Sequence, residues 1–363
     1  YPLNTVAVDL ATGETQEYFL PFAAHWGEFT AGAGGAKMAK IRRGPHIGTL
    51  LDATQNDGFT RGVVNAIQQS STLDAKDGTV LFKTVSEFKP VPEDGNVRVV
   101  GAEQTNVSAI VDERLMIKLY RRLRRGVQPE VEIANFLSHV AHYDNTPMLR
   151  GYVEYQPDEG EPVALSALFD FVENQGDCWN AIVDGLDRAL EEHALTTTER
   201  MEEEAAETLP YTFPINLMGI LGKRTAELHQ AFAIDTSDPA FAREALGKAD
   251  ISGWVGDLKG QMSRAFDALD RAHERVSQEV AETIARLQAQ RKALEARVDA
   301  LADTRPEGAK TRIHGDYHLG QVLVSQADVV IIDFEGEPGR SLAERRAKTS
   351  PLRDVAGMLR SID

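Results

Sequence analysis

Cysteine is almost missing from this chain of 363 residues. Cys178 stands alone, which excludes an internal disulfide and fits a reducing compartment, the cytoplasm. Positive charge is also scarce. Lys and Arg number 39 against 56 Asp and Glu, for a net charge of −17. That balance argues against a nucleic-acid or an anionic-membrane partner, and any nucleotide must be held by local cations against the global field. No apolar run is long enough to span a bilayer, and none reads as a signal peptide. A Walker-type phosphate loop is lacking too. Gly32, Gly34 and Gly35 crowd one stretch, but no Lys-Ser or Lys-Thr follows them, so they read as a flexible connection. An initial Met is missing, and a chain starting at Tyr1 is expected to be a fragment or trimmed. What remains is ordinary for a globular protein, with 42% hydrophobic residues and enough length for a large core and two or three domains.

One stretch carries recognisable chemistry. Ile313-His-Gly-Asp316 leads into Gln321, five residues past Asp316. Two short β-branched runs follow, Gln321 to Val324 and Val329 to Ile332, and Ser325 to Asp328 can turn between them, so a hairpin is expected. It delivers Asp333 at its end. One carboxylate then lies before the hairpin and another after it, within reach of one point. Two carboxylates and an amide oxygen suit a hard cation such as Mg²⁺, shared with phosphate.

This spacing is that of a phosphotransferase. Protein kinases use an Asp to accept the substrate hydroxyl proton, an Asn five residues on as a metal ligand, and an Asp at the head of Asp-Phe-Gly as a second one. Asp316, Gln321 and Asp333 take those places here. Glu335 replaces the usual Gly and could add an oxygen to the metal site. Upstream, Arg98–Gly101, Ala109–Val111 and Leu115–Tyr120 read as strands. The polar turn 103–108 lies where a phosphate-covering loop belongs, with Thr105, Asn106 and Ser108 in place of glycines. Lys118 interrupts an apolar strand, where a charge needs a partner. A helix opening at Pro129 carries Glu130 and Glu132, with Ile133, Phe136 and Leu137 on its buried face. One of these carboxylates is expected to pair with Lys118. Phe169 to Glu173 reads as a hinge whose backbone reaches an adenine edge near Phe171 and Val172.

His314-Gly-Asp-Tyr-His-Leu-Gly-Gln321, Asp333-Phe-Glu-Gly-Glu-Pro338 and the run Glu344 to Arg360 resemble the maltokinases. The resemblance is dense from Lys310 to Asp363 and looser from Val97 to Trp179. It implies an α+β, bilobal, protein-kinase-like fold of the aminoglycoside-phosphotransferase type with an N-terminal cap subdomain. It implies ATP and Mg²⁺ as cofactors and maltose as acceptor, giving maltose 1-phosphate within glycogen and trehalose metabolism, and a trehalose synthase as a fused or associated partner. Glu132 matches the family position for the lysine's partner, with Glu130 as the competitor. Family members continue with further helices that help form the sugar pocket. Two alternatives stay open: a kinase of the same fold acting on another small-molecule hydroxyl, and a catalytically silent nucleotide-binding module of a fusion protein, against which the intact Lys118, Asp316, Gln321 and Asp333 argue.

Three segments are expected: a cap over 1–93, a small lobe over 94–173 and a mainly helical lobe over 174–363. In the cap, a hairpin about Gly13, a helix over Gly58–Gln69 and a strand over Val80–Val85 are expected, while Gly48–Thr54 fits strand or helix. In the third segment Asp177 can cap a helix, and 196–208 is an acidic helix or loop. His229 reads as structural. The apolar stripe over Trp254–Leu301 fits one long helix or an antiparallel pair. Arg121, Arg122, Arg124 and Arg125 read as a solvated loop. Arg340, Arg345 and Lys348 could bind a phosphate or fix the loop. Asp354 either completes a capping box after Ser350-Pro351 or braces the loop at Asp316.

Overall fold

The computed structural model describes residues 1–28, 36–102, 105–195, 212–272 and 275–363. Gly32, Gly34 and Gly35, the first part of the polar turn (103–104) and the acidic stretch 196–208 lie outside them. The expected α+β class holds, and the described chain divides into two compact units. One comprises 1–234, 313–347 and 352–363, the other 235–312 with 348–351.

In the first unit, β1 (Thr5–Asp9) and β2 (Thr15–Phe19) form the expected hairpin, turning at Gly13. β3 (Phe22–Trp26), β4 (Lys37–Arg43) and β5 (His46–Asp52) form an antiparallel sheet in the order β3-β5-β4, so Gly48–Thr54 is largely strand. Helix α1 (Asp57–Gln68) starts where the Asn56 side chain accepts the Phe59 N–H (3.0 Å), and it buries Phe59, Val63, Val64 and Ile67 at helical spacing. Then come β6 (Thr72–Ala75), β7 (Gly78–Thr84), β8 (Val97–Ala102), β9 (Asn106–Val111), β10 (Leu115–Tyr120), β11 (Arg122–Leu123), helix α2 (Pro129–His139), β12 (Leu149–Pro157) and β13 (Val163–Asp170). Seven of these strands make one antiparallel sheet in the order β6-β7-β12-β13-β10-β9-β8, while β11 adds to the β1–β2 hairpin.

Sheet order corrects the expected boundary near Glu93. β7 pairs with β12 along its whole length, so residues 72–84 belong to the same sheet as the lysine strand. Pairing across some 70 positions leaves no local mark in sequence, and the composition shift at Pro90–Pro92 is only a loop. A Cβ at Gly151 on β12 would collide with Ile67 and the Lys83 carbonyl, so glycine there lets α1 lie on the sheet.

Alternation on β10 sorts the two sheet faces. Leu115, Ile117 and Leu119 join the core shared with α1, each contributing roughly 1.5–3 kcal/mol by full burial. Met116, Lys118 and Tyr120 point the other way, toward α2 and the cleft. The same period lengthens β9. Val107, Ala109 and Val111 are buried, so Asn106 and Ser108 are strand residues rather than members of a turn.

The rest of this unit holds α3 (Cys178–Leu195), α4 (Thr212–Phe232), the hairpin β16 (Val322–Ser325) with β17 (Asp328–Ile331), α8 (Leu342–Arg346) and α9 (Leu352–Ile362). The Asp177 side chain caps α3, accepting the Asn180 N–H at 2.9 Å. In the hairpin Val322, Val324, Val329 and Ile331 are buried, which leaves Leu323 for the opposite face.

The second unit contains β14 (Glu244–Ala245), α5 (Lys248–Ala272), α6 (Gln278–Ala289), α7 (Arg291–Ala300) and β15 (Ala309–Lys310). The stripe 254–301 is thus divided over three helices rather than one or two. Its apolar period runs on without Gly or Pro between α6 and α7, so the break at Gln290 was not marked. Lys348 belongs to this unit, where it pairs with Glu244 at 2.8 Å. Among the described residues, no helix is long and apolar enough to cross a membrane.

Candidate functional site

Two adjoining cavities in the first unit share Asn106, Gln321 and Asp333. The larger, about 400 Å³, is walled by Met116, Lys118, Glu130, Phe169, Val172, Leu323, Ile332 and Phe334, with Ser108 at its edge. The smaller, about 240 Å³, is walled by Thr105, Tyr120, Arg122, Arg124, Asp316, Glu335 and Arg345. One is a slot with apolar walls ending in charge, the other is lined mainly by polar and charged side chains.

Lys118 stands where they meet. Its Nζ lies 3.3 Å from Glu130, 2.7 Å from Asp333 and 2.5 Å from Glu335. Burial alone would lower its pKa, but the three carboxylates outweigh that and hold the ammonium well above its usual range. Glu130 pays the opposite way. Burial, together with Glu335 and Asp333, pushes its carboxyl up to about 7 against the pull of Lys118. Tyr120 donates its hydroxyl to Glu130 Oε2 at 2.6 Å.

The lysine's helix partner is therefore Glu130, and the expectation of Glu132 is corrected. Glu132 instead takes a two-pronged contact from Arg346 on α8, at 2.6 and 2.9 Å. Its cause was present in the sequence. The buried face of α2 runs through Ile133, Ala134 and Leu137, and positions three, four and seven earlier converge on 130. Position 132 is some 200° round the helix from 130.

Asp333, two residues past β17, lies in the left-handed region, at φ 66°. A side chain pays about 1–2 kcal/mol for that, and two contacts hold it there. Oδ1 receives Lys118, and Oδ2 receives the Gln321 amide N–H at 3.1 Å. Burial would raise the Asp333 pKa, yet Lys118 brings it below the usual carboxyl value. Asn106 donates to Glu335 at 3.0 Å, tying β9 to the segment after Asp333. Carboxylate oxygens of Glu130, Asp333 and Glu335 come within 4.8 Å of one another. Glu130 is engaged by Lys118 and Tyr120 and does not line the polar cavity, whereas Asp333 and Glu335, which also contact Lys118, line it together with Gln321 and are the hard donors a cation could reach. This set fits a small dication.

Asp316 sits in the second cavity on a loop with exceptional bracing. Asp354 on α9 accepts the His314 N–H at 2.8 Å and the Gly315 N–H at 3.0 Å, and receives His229 at 3.1 Å. Burial works against the charge, but these donors keep the Asp354 carboxyl below its usual range. The alternatives left open for Asp354 thus resolve toward the brace. His314, 1% exposed, spans to the hairpin. Its Nε2 lies 2.8 Å from the Ile332 carbonyl, and its Nδ1 accepts the Asp316 N–H at 3.3 Å. A carbonyl can only accept and an amide N–H only donate, so these partners assign the proton to Nε2. α9 comes close because residue 357 is glycine, where a Cβ would stand 2.8 Å from the Tyr317 carbonyl.

Most expected site residues converge: Lys118, Thr105, Asn106, Ser108, Val172, Asp316, Gln321, Asp333 and Glu335 all line the two cavities. Phe171 does not. Its N–H donates to the Arg114 carbonyl at 2.8 Å, so that group is used inside the protein. The arginines at 121–125 are not a solvated loop. Arg121 pairs with Asp52 and Arg125 with Glu17, while Arg122 and Arg124 face the second cavity. Arg345, its side chain 4% exposed, donates to the carbonyls of Glu335 (3.3 Å), Pro338 (2.8 Å) and Arg340 (3.0 Å).

Comparison with known proteins gives the family and the fold. Two curated relatives are the glucosamine kinases of Streptacidiphilus jiangxiensis and Mycolicibacterium smegmatis, each 26% identical over 317 and 311 residues. The matches cover 87% and 85% of this chain but 64% and 68% of theirs, so the chain spans less than two thirds of the first relative. Solved structures of a glucosamine kinase share the fold: one crystal form matches with a TM-score of 0.61, covering 100% of this chain and 73% of the other, at 22% identity. A complex with glucosamine, ADP and inorganic phosphate matches with a TM-score of 0.57 at 22% identity, covering 100% and 74%. The model of the phosphotransferase enzyme family matches residues 98–336, a span that holds Lys118, Glu130, Asp316, Gln321, Asp333 and Glu335, and this chain belongs to that family.

Proposed function

We propose that this chain is a kinase that moves the γ-phosphoryl group of ATP onto a hydroxyl of a sugar. The observation that carries the reading is the convergence of Lys118, Asp333, Glu335, Gln321 and Asp316 about one junction between an apolar slot and a polar cavity. The slot takes the adenine between Met116 and Phe169 above and Leu323 and Ile332 below. Lys118, held by Glu130, meets the phosphates. Asp333 and Glu335, with the amide oxygen of Gln321, would hold Mg²⁺, which when bound offsets phosphate charge. Asp316 orients the acceptor hydroxyl and takes its proton as that oxygen bonds to phosphorus. The bond from the γ-phosphorus to the bridging oxygen breaks, and ADP leaves with the electron pair. Positioning and charge carry the rate enhancement in such a site.

The acceptor has two candidates. Glucosamine is favoured by the two relatives named for it. Maltose, phosphorylated at its anomeric hydroxyl, is what the motifs around Asp316 and Asp333 imply, and a fused or associated trehalose synthase belongs to that reading alone. A single cysteine is compatible with a reducing compartment, which supports a cytoplasmic setting in this reading. Labelled ATP offered with glucosamine, maltose, glucose, choline and an aminoglycoside tests the proposal. Phosphate transfer to one sugar above all others supports it. Transfer to no acceptor, with ADP bound normally, leaves a nucleotide-binding module and rejects the kinase reading.

A further inference from the structure

Arg124 and Arg345 approach the polar cavity from different elements, yet they grip the same two carbonyls. The Pro338 oxygen accepts from Arg124 at 3.0 Å and from Arg345 at 2.8 Å, and the Arg340 oxygen accepts from both at 3.0 Å. Two guanidiniums are thereby held side by side against neutral acceptors. Burial, with Arg122 beside it, lowers the pKa of Arg124. The nearest carboxylate, Glu335, stands 4.0 Å from Arg345 and is already engaged by Lys118. Arg122 adds a third guanidinium to the same wall, paired at 3.0 Å with Glu14, which is itself largely exposed.

A neutral sugar gives no reason to crowd three cations beside Asp316. A phosphate does. Resting on the kinase reading, we infer that Arg124 and Arg345, with Arg122 at the rim, form a subsite for a phosphomonoester dianion on the acceptor side of Asp316. It receives the phosphoryl group once it has left ADP. The planar donor forks suit phosphate oxygens, and Lys118 stays with the nucleotide phosphates in the adjoining slot. The backbone carbonyls take some of each guanidinium's N–H groups, and a guanidinium carries five, so donors remain for an anion.

Calorimetric titration tests this on the whole chain with ADP and Mg²⁺ present. The probes are inorganic phosphate, glucose 1-phosphate and glucose 6-phosphate, and the variants are Arg124→Gln, Arg124→Lys and Arg122→Gln. Arg124→Gln is expected to weaken phosphate binding at least tenfold, Arg124→Lys less than threefold, and Arg122→Gln about threefold, with ADP affinity changed less than twofold throughout. Binding of a sugar phosphate assigns the subsite to the reaction product, and binding of inorganic phosphate alone assigns it to the free anion. Wild-type phosphate affinity in Arg124→Gln overturns the inference. So does an equal loss in Arg124→Lys, or a parallel fall in ADP affinity. Arg122 holds no loop carbonyl, so its variant reads the charge even if Arg124→Gln unfolds. The titration needs no acceptor turnover, so failure of the kinase reading stays distinct from failure of the subsite.

Discussion

Lys118 Nζ lies 2.7 Å from Asp333 Oδ1, across 215 positions of sequence. That contact joins the cleft face of β10 to the segment after β17 that carries Asp333 and Glu335. It holds a left-handed aspartate in place, and it explains how a chain of net charge −17 can keep one firmly protonated amine in its cleft.

Asp333→Ala is expected to weaken ADP binding in the presence of Mg²⁺ roughly tenfold or more, while binding without Mg²⁺ changes little. Titration of ADP with and without the metal measures it. Equal affinities for wild type and variant in Mg²⁺ would remove Asp333 from the metal site.

Asp316→Asn keeps size and shape and loses the proton acceptor. Turnover is expected to fall about 10²–10⁴-fold, with ADP affinity preserved. Turnover close to wild type would end the base assignment.

Glu130→Gln and Glu132→Gln separate two carboxylates on one helix. The first removes charge from Lys118 and should lower turnover about 10- to 100-fold. The second opens the Arg346 contact, where the guanidinium is about a third exposed, and should cost about 1 kcal/mol of stability with a small effect on turnover. Steady-state rates beside melting curves decide the matter, and the reverse ranking would return the lysine's partner to Glu132.

Asp354→Asn keeps an acceptor but loses the charge that His229 and two loop N–H groups favour. A cost of about 2–4 kcal/mol is expected. The folded carboxyl is depressed below its unfolded value. Its contribution is therefore full above the ordinary carboxyl range, near pH 4, and fades as pH falls through the folded value. Melting temperature should drop less steeply on acidification in the variant than in wild type. Parallel acid limbs would deny Asp354 its part.

Much of the site was legible because it is local. His314, Asp316, Gln321, Asp333 and Glu335 lie within 22 positions, and a hairpin between them admits few arrangements. Lys118 was visible as a charge in an apolar strand. Even the Glu130 pairing is written in the period of α2, whose buried face includes position 130 and leaves out 132. The arginines at 122 and 124 were not legible. A guanidinium can coat a loop or line a cavity, and the place of Arg124 depends on carbonyls more than 200 positions away.

Alternating and helical periods, turn residues and motif spacing are short-range properties, so the chain's own letters determined the α+β class, the hairpin of β16 and β17 and the carboxylates that flank it. Folding alone decided that β7 joins the lysine strand's sheet, that residues 235–312 form a compact unit of their own with 348–351, and that Asp354 reaches back to His314 and Gly315. Those are pairings between distant segments. Their free energy comes from burial and hydrogen bonds that exist only once the segments have met.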